Sequence, residues 1–306
     1  MSVWLTVEDV KKIAVIGAGI MGHGIAMSCA MAGYDTVMAG RDEGRLQNAM
    51  AKIKEGPFGL EKSVAKGKMS REAADDILGR IHPTTDLKEA GREADLIIEA
   101  ISENLELKRS VFRQLDSICP EKTVLTSSTS TIMIADLALV TNRPDRFAGM
   151  HWFNPAQMMP LIELVRGEQT SNETFDFLFA LSEKMGKKPV TVNDGPGFFT
   201  SRFMTAFLNE AARLLEAGVA GVKEIDTMCK LGFSFPMGPF ELMDVIGLDT
   251  MLQSSVYIYG KTADEKFKTP EVLKKMVADG FFGDRRIKKG SRGGWYDAYG
   301  IEKEGP

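Results

Sequence analysis

Three glycines in the run Gly17-Ala-Gly19-Ile20-Met21-Gly22 directly follow four apolar residues, Ile13 to Ile16, that are preceded by Lys11 and Lys12. A bare Gly-x-Gly-x-x-Gly means little in a chain with 30 glycines. Its place after a short buried strand, at the opening of a helix of small residues (Ile25 to Ala32), gives it content. In that setting the first glycine permits a tight turn and the second lets the backbone approach a pyrophosphate. The third lets helix and strand pack closely. Backbone N–H groups at the helix start, those of Ile20 and Met21 among them, suit the bound anion. The chemistry implied is the binding of a nicotinamide dinucleotide.

Which dinucleotide depends on the end of the second strand. A carboxylate about 20 residues past the loop ordinarily binds the ribose hydroxyls of NAD. Here Thr36-Val-Met-Ala39 runs into Gly40-Arg41-Asp42. With Gly40 at that position no acid is present, and Arg41 favours the ribose phosphate of NADP. A slip of two residues puts Asp42 there and restores NAD. The first register is the preferred one.

The elements that must carry these residues follow from periodicity. Strands are expected at Lys11–Gly17, Thr36–Ala39, Asp95–Glu99, Thr123–Thr126, Phe147–Trp152 and Leu161–Val165, alternating with helical stretches. Between Arg41 and Ile81, lysines and glutamates dominate and apolar residues recur at helical spacing (Leu46, Met50, Ile53; Ala73, Ile77), predicting an exposed helical hairpin over about 43–81. Asp194-Gly-Pro-Gly197 reads as a hinge. Beyond it Phe199, Phe203, Phe207 and Leu214 predict a buried helix face, with further helices at Val222–Leu231, Gly238–Ile246 and Glu271–Ala278. The fold class expected is α/β: a Rossmann-like doubly wound sheet with an inserted helical hairpin, then an all-helical C-terminal domain. The expected domains are 1–195 for the dinucleotide and 196–306 for substrate binding and dimerisation.

Composition bounds the rest. A length of 306 residues fits about two domains. The 26% charged and 44% hydrophobic residues are ordinary for a folded chain. A formal net charge of −4 supplies no basic field, so no nucleic-acid partner is expected. Cys29, Cys119 and Cys229 lie far apart, with neither a zinc spacing nor a disulfide framework, so no metal and a cytoplasmic, reducing location are expected. No apolar run approaches the roughly 20 residues of a membrane span. Met1 to Leu5 lacks the basic region of a signal peptide. Secreted and membrane classes are not expected.

Three further stretches carry a resemblance. They are Ser128-Thr-Ser130-Thr131, then Asp145-Arg-Phe-Ala-Gly-Met-His151-Trp-Phe-Asn154-Pro, and Pro236-Met-Gly-Pro-Phe-Glu-Leu242 ahead of Gly247-Leu-Asp249. Together with the glycine loop they resemble the L-3-hydroxyacyl-CoA dehydrogenases, particularly the stand-alone bacterial 3-hydroxybutyryl-CoA type, from about Lys11 to Tyr299. The resemblance implies oxidation of a 3-hydroxyacyl-CoA to a 3-ketoacyl-CoA with hydride passed to nicotinamide, in either direction, by a homodimer formed through the C-terminal domain. It places the catalytic histidine at His151, its glutamate partner at Glu163 and the substrate-binding serine at Ser130. It also matches Lys62 and Lys66 to lysines that hold the adenosine-phosphate end of coenzyme A, and Glu103, Lys108, Ser128 and Asn154 to positions around the cofactor.

The residue types suit that chemistry. Hydride cannot leave a carbinol carbon unless the hydroxyl proton departs too, and an imidazole, with an ordinary pKa of about 6.5, accepts it at neutral pH. A neighbouring carboxylate fixes the tautomer and stabilises the imidazolium. Glu163, in the otherwise apolar Leu161-Ile-Glu-Leu-Val165, needs a partner if buried, and His151 would supply one. A hydroxyl such as Ser130 can hold the reacting oxygen in place. Lys62 and Lys66, four apart, would share one helix face. His23, among the loop glycines, and His82, before Pro83 in an expected turn, read as surface or packing residues.

Two departures stand out. Where the family has an asparagine that assists the substrate carbonyl, this chain has Ser201, shorter and with one donor. Where the family has an asparagine before Thr-Ser, this chain has Ser128. Two other readings therefore stay open. One is a dehydrogenase of a free hydroxy acid or sugar acid on the same fold, which would need no distant lysine grip. The other is a non-catalytic dinucleotide-binding dimer, which would need no His–Glu pair.

Overall fold

A computed structural model describes residues 4–302. The expected outer boundaries, 1 and 306, and Met1 to Val3 of the expected leaderless N-terminus lie outside the described residues. The chain divides into two compact units at the Gly195–Pro196 bond.

The first unit runs β1 (Lys12–Ile16), α1 (Ile20–Met31), β2 (Asp35–Ala39), α2 (Glu43–Glu55), α3 (Leu60–Ala65), α4 (Arg71–Gly79), β3 (Ile81–Thr84), α5 (Leu87–Gly91), β4 (Leu96–Glu99), α6 (Leu105–Ile118), β5 (Val124–Ser127), α7 (Ile134–Ala138), β6 (Phe147–Trp152), β7 (Leu161–Arg166), α8 (Asn172–Lys184) and β8 (Lys188–Asn193). The strands form one sheet in the order β3-β2-β1-β4-β5-β6-β7-β8. Every neighbouring pair is parallel except β6 and β7. That exception has a simple cause: the connection 153–160 is shorter than the dozen or so residues a parallel crossover needs. Central strands such as β1 and β4 are apolar throughout their middles and fully buried, because helices cover both faces of the sheet.

The segment between β2 and β3 differs from the expected hairpin. It forms three helices, interrupted where Gly56, Pro57 and Gly59 break the first and where Gly67, in the left-handed region at φ +65°, ends the second. Ser70 caps α4 by accepting from the Ala73 amide. Leu46, Ala49, Ile53, Leu60, Ala74 and Ile77 join the main hydrophobic core, so only the outer faces of these helices meet solvent. His82 and Pro83, expected in a turn, lie in β3 instead. As an edge strand β3 tolerates a residue that cannot donate to the ladder. The opposite edge, β8, has no clear apolar alternation and was also not expected.

The second unit contains α9 (Thr200–Glu216), α10 (Val222–Phe233), α11 (Pro239–Ile246), α12 (Leu248–Thr262), α13 (Glu271–Ala278) and α14 (Trp295–Ala298), with no strand among its described residues. Its core gathers Leu208, Val222, Phe240, Met243, Leu248, Leu273 and Trp295. Buried Asp226 accepts from the amides of Phe240 (2.8 Å) and Glu241 (3.0 Å) and from the Tyr296 hydroxyl (2.8 Å). A Cβ at Gly238 would sit 2.3 Å from that carboxylate. The Pro236–Leu242 motif is thus a helix start, with Pro239 at its first position and Asp226 bonding its exposed amides. One expectation fails here. The stripe Phe199, Phe203, Leu214 is not buried: Phe199 and Phe203 are 63% and 58% exposed and stack on one another with centroids 5.7 Å apart. The stripe of α9 that packs inward is Thr205, Leu208, Asn209, Ala211 and Ala212.

Candidate active site

Each loop glycine shows a separate constraint. Gly17 has φ +126°, and a Cβ there would lie 2.4 Å from the Ala100 carbonyl oxygen. A Cβ on Gly22 would overlap the Gly17 carbonyl at 1.7 Å, so α1 and β1 close against each other only without side chains. A Cβ on Gly19 would meet no atom of the described residues within 4 Å beyond its own chain neighbours. That is the open approach a pyrophosphate needs above the N-terminus of α1, a helix of 12 residues. Ile20 and Met21 form its first turn. His23 is more than packing: its Nδ1 lies 2.8 Å from the Gly19 carbonyl, tying the helix to the loop. Burial pushes the His23 imidazole below its ordinary range.

The strand β2 ends before Gly40. Ala39 is its last residue and pairs with Ile16 of β1, while the Gly40 amide donates to Thr84. Asp42 caps α2 by accepting from the Arg45 amide at 2.8 Å. The slip that would move Asp42 to the strand end does not occur. Arg41, 78% exposed, follows Gly40, with its Nε 3.8 Å from the Asp42 carboxylate.

His151 on β6 and Glu163 on β7 are direct partners in the antiparallel register. Their side chains meet, His151 Nδ1 to Glu163 Oε2, at 2.7 Å, with both residues buried. Phe153 packs on the imidazole, centroids 4.6 Å apart. Because β6 runs parallel to β5, and β5 to β4 and β1, His151 lies toward the same edge of the sheet as the glycine loop and the Ser128–Thr131 turn. That edge, at the carboxyl ends of the parallel strands, is where open α/β sheets bind ligands.

The turn after β5 is held by charge. Glu103 Oε1 accepts from the Thr129 hydroxyl (2.5 Å) and from the Ser130 and Thr131 amides (both 3.2 Å). Its other oxygen lies 3.3 Å from Lys108 Nζ. Lys108, whose side chain is 1% exposed, donates to Glu99 at 2.6 Å, and Glu99 also accepts from the Ser127 hydroxyl and the Ile101 amide. Glu103 and Lys108 therefore brace the Ser130 turn, and the Lys108 ammonium lies inside the protein rather than on the cleft surface. Ser130 Oγ sits 3.2 Å from Thr131 Oγ1. Ser128 Oγ is buried without a hydrogen-bond partner. This unsatisfied hydroxyl beside the glycine-loop edge, with the open side of Gly19, fits a bound dinucleotide.

Asn154 is exposed immediately past β6 and joins Pro155 through a cis peptide. Three bracing residues were not foreseen. Lys187 donates to the carbonyls of Ala156 (2.7 Å) and Met159 (2.9 Å), fastening the segment after Asn154. Asp194 accepts from the Ile134 and Ala135 amides at 3.0 and 2.8 Å, fixing the start of α7 just past Ser130. Glu99 ends a buried apolar strand with a carboxylate, and that misplaced charge was its readable signal. Lys62 and Lys66 stand exposed on and just after α3, and the Lys66 amide donates to the Lys62 carbonyl at 3.1 Å, so both project from one helical turn. Ser201 stands in the first turn of α9, in the second unit. Among the described residues no helix is long and apolar enough to cross a membrane, and no group of three His, Cys, Asp or Glu side chains is placed to hold a metal.

Comparison with known proteins is consistent along the chain. Residues 12–195 match the family model described as 3-hydroxyacyl-CoA dehydrogenase, NAD binding domain, and 197–293 match its C-terminal domain model. The chain is 40% identical over 279 residues to the 3-hydroxybutyryl-CoA dehydrogenase of Clostridioides difficile, covering 91% of this chain and 98% of that one. It is 39% identical to the human mitochondrial hydroxyacyl-coenzyme A dehydrogenase, covering 90% and 89% respectively. Among solved structures, the (S)-3-hydroxybutyryl-CoA dehydrogenase of Ralstonia eutropha superposes with a TM-score of 0.86 at 38% identity, over 92% of this chain and 98% of that one.

Proposed function

The chain belongs to the 3-hydroxyacyl-CoA dehydrogenase family, and from that premise we propose that it interconverts a 3-hydroxyacyl-CoA and a 3-ketoacyl-CoA. The observation that carries the proposal is the buried His151–Glu163 contact at 2.7 Å, on the sheet edge that also presents the glycine loop. The bound nicotinamide supplies the hydride acceptor or donor. With Nδ1 committed to Glu163, His151 exchanges the substrate hydroxyl proton through Nε2, and the carboxylate stabilises the imidazolium that results. Ser130 holds the reacting oxygen, on a turn whose backbone Glu103 fixes. Ser128 and Asn154 bind the nicotinamide half of the cofactor, and Ser201 assists the substrate carbonyl as the shorter counterpart of an amide.

Lys62 and Lys66 take the phosphates at the distal end of coenzyme A, a role supported by their exposure on one helical turn. The cofactor preference is for NADP over NAD: no carboxylate stands at the end of β2, and Arg41 follows at once. Residues up to Gly195 bind the dinucleotide, while the second unit contributes to substrate binding and to a homodimer. The exposed stripe of Phe199 and Phe203 on α9 and Leu231 and Phe233 on α10 supports the dimer, since so much apolar surface is costly in water. The three buried thiols fit a cytoplasmic location.

The testing experiment is reduction of acetoacetyl-CoA against free acetoacetate, each with NADPH and NADH. A strong preference for the thioester is expected. Equal efficiency on the free acid would favour a hydroxy-acid dehydrogenase, and dinucleotide binding without turnover of any acyl-CoA would favour a non-catalytic role.

A further inference from the structure

Ser130 lies on a loop whose two ends meet at one glycine. β5 ends at Ser127, which pairs with Gly149 of β6. At the other end Ile134, fully buried, comes back over that same residue. A Cβ on Gly149 would stand 2.9 Å from Ile134 Cδ1 and 3.0 Å from its Cγ1. A Cβ on Gly167, just past β7, would stand 3.0 Å from Ile134 Cγ2. The Ile134 side chain therefore occupies room that two glycines leave open. Gly149 and His151, two apart on β6, share a face of the sheet. Ile134 thus rests on the face from which the imidazole projects, about 7 Å along the strand from it.

Between its ends the loop is tied to itself. The Thr129 amide donates to Ser127 Oγ at 3.2 Å, and the Ile132 amide donates to Thr129 Oγ1 at 3.0 Å. A loop bonded in this way goes where its ends are put. The end at Ile134 is held by a residue distant in sequence. Asp194 Oδ1 accepts from the Ile134 amide at 3.0 Å and from the Gly195 amide at 2.9 Å, and Oδ2 accepts from the Ala135 amide at 2.8 Å. The Ile134 and Ala135 amides open α7 and have no acceptor within that helix. The backbone of Asp194 is itself fixed, its amide donating to the Arg166 carbonyl at 3.0 Å in continuation of the β7–β8 ladder. One carboxylate thereby fastens the far end of the Ser130 loop to the sheet that carries His151 and Glu163.

We propose that Asp194 is a positioning residue for the reaction: by holding Ile134 in the slot between Gly149 and Gly167 it sets the separation of the Ser130 hydroxyl from the His151 imidazole. This rests on the reaction proposed above, in which those two groups meet one substrate oxygen, and adds a residue that acts through Ser130. Without the carboxylate the loop keeps the Glu103 brace near its tip and loses the anchor at its end. A misplacement of about 1 Å costs on the order of 100-fold in rate.

The test compares wild type, Asp194→Ala, Asp194→Asn, Ser130→Ala and the Asp194→Ala/Ser130→Ala double variant. It reads kcat and KM for acetoacetyl-CoA reduction, Kd for the dinucleotide, and hydrogen exchange of the backbone over residues 128–138, with circular dichroism to establish folding. Asp194→Ala is expected to lower kcat about 10- to 100-fold, to leave dinucleotide Kd within about twofold, and to speed exchange over 128–138 while the Gly17–Gly22 loop exchanges as in wild type. Asp194→Asn keeps the Oδ1 acceptor but turns a donor toward the Ala135 amide, so it should fall between the two in both rate and exchange. Once Ser130 is alanine, loss of Asp194 should lower kcat by less than about threefold, because residues acting through one another are not additive. A purely structural role would make the two losses multiply, and that result would overturn the proposal. So would unchanged exchange over 128–138 in Asp194→Ala, or full activity in that variant. Faster exchange in Asp194→Ala beside a wild type that turns over no acyl-CoA would overturn the reaction and leave the anchor standing.

Discussion

His151 and Glu163 stand opposite each other on one rung of the β6–β7 pair, with Nδ1 and Oε2 2.7 Å apart. Twelve residues of sequence separation come down to a direct contact because the 153–160 connection folds the chain back antiparallel. Both residues are buried, so an imidazolium formed at His151 is met by a carboxylate in place of solvent. Replacing His151 by Ala should cut turnover by about two to four orders of magnitude, as loss of an acid–base group does, while Kd for the dinucleotide stays within about twofold. Stopped-flow turnover beside fluorescence titration checks this. A near-normal rate would remove His151 from the chemistry.

Lys66→Ala should raise KM for the acyl-CoA more than it lowers kcat, because a grip on the remote end of a substrate is made equally in ground and transition states. A loss of about 1 kcal/mol or less is expected for one exposed charge. Its signature is that raising ionic strength should weaken wild-type binding and do so less in the variant. Salt-dependent KM measurements decide it; a variant with normal KM and depressed kcat would place Lys66 elsewhere.

Ser201→Asn restores the longer side chain with two amide donors. If Ser201 faces the substrate carbonyl, kcat for short acyl-CoAs should rise several-fold, with little change in dinucleotide affinity. A panel of short, medium and branched 3-ketoacyl-CoAs reads the effect; identical profiles for both proteins would separate Ser201 from the substrate.

Asp95 joins the starts of two central strands, accepting from the Lys11 and Lys12 amides at 2.9 and 3.1 Å and from Lys122 Nζ at 2.8 Å. Burial pushes its carboxyl up, but the Lys122 ammonium and the two amides outweigh it and hold the group below its ordinary range. Since the folded pKa is the lower one, the stabilisation is present above the unfolded value of about 3.9 and fades as pH falls through the folded value. Asp95→Asn should cost about 1–3 kcal/mol at neutral pH, and the gap from wild type should narrow below about pH 4. Urea unfolding across pH measures it. A gap independent of pH would show that charge is not what matters there.

Much of this was legible because local patterns and global packing agree. Strands buried on both faces announce themselves as apolar runs, and β1, β4 and β6 do so plainly. Glu163 was readable for the opposite reason, as a charge in an apolar strand. The edges were harder: β3 carries a proline and β8 is largely exposed, so neither has the pattern that burial imposes. The aromatic stripe of α9 misled because periodicity reports an apolar face without saying what covers it. Glu103 also bonds the backbone of the Ser130 turn, and Lys108 pairs with Glu99 and Glu103; these contacts leave no mark on spacing. The same holds for Lys187 and Asp194, whose partners are main-chain groups distant in sequence.

The central claim is that His151 and Glu163 act as one unit, and a double-mutant cycle on kcat tests it most directly. His151→Ala, Glu163→Gln and the double variant would be compared for acetoacetyl-CoA reduction, with circular dichroism to establish that each is folded. Glu163→Gln alone is expected to lower kcat by about 10- to 100-fold, and to lower it no further once His151 is alanine, because residues acting as a unit are strongly non-additive. Losses that simply multiply, or a Glu163→Gln enzyme with full activity, would contradict the pairing as the source of catalysis.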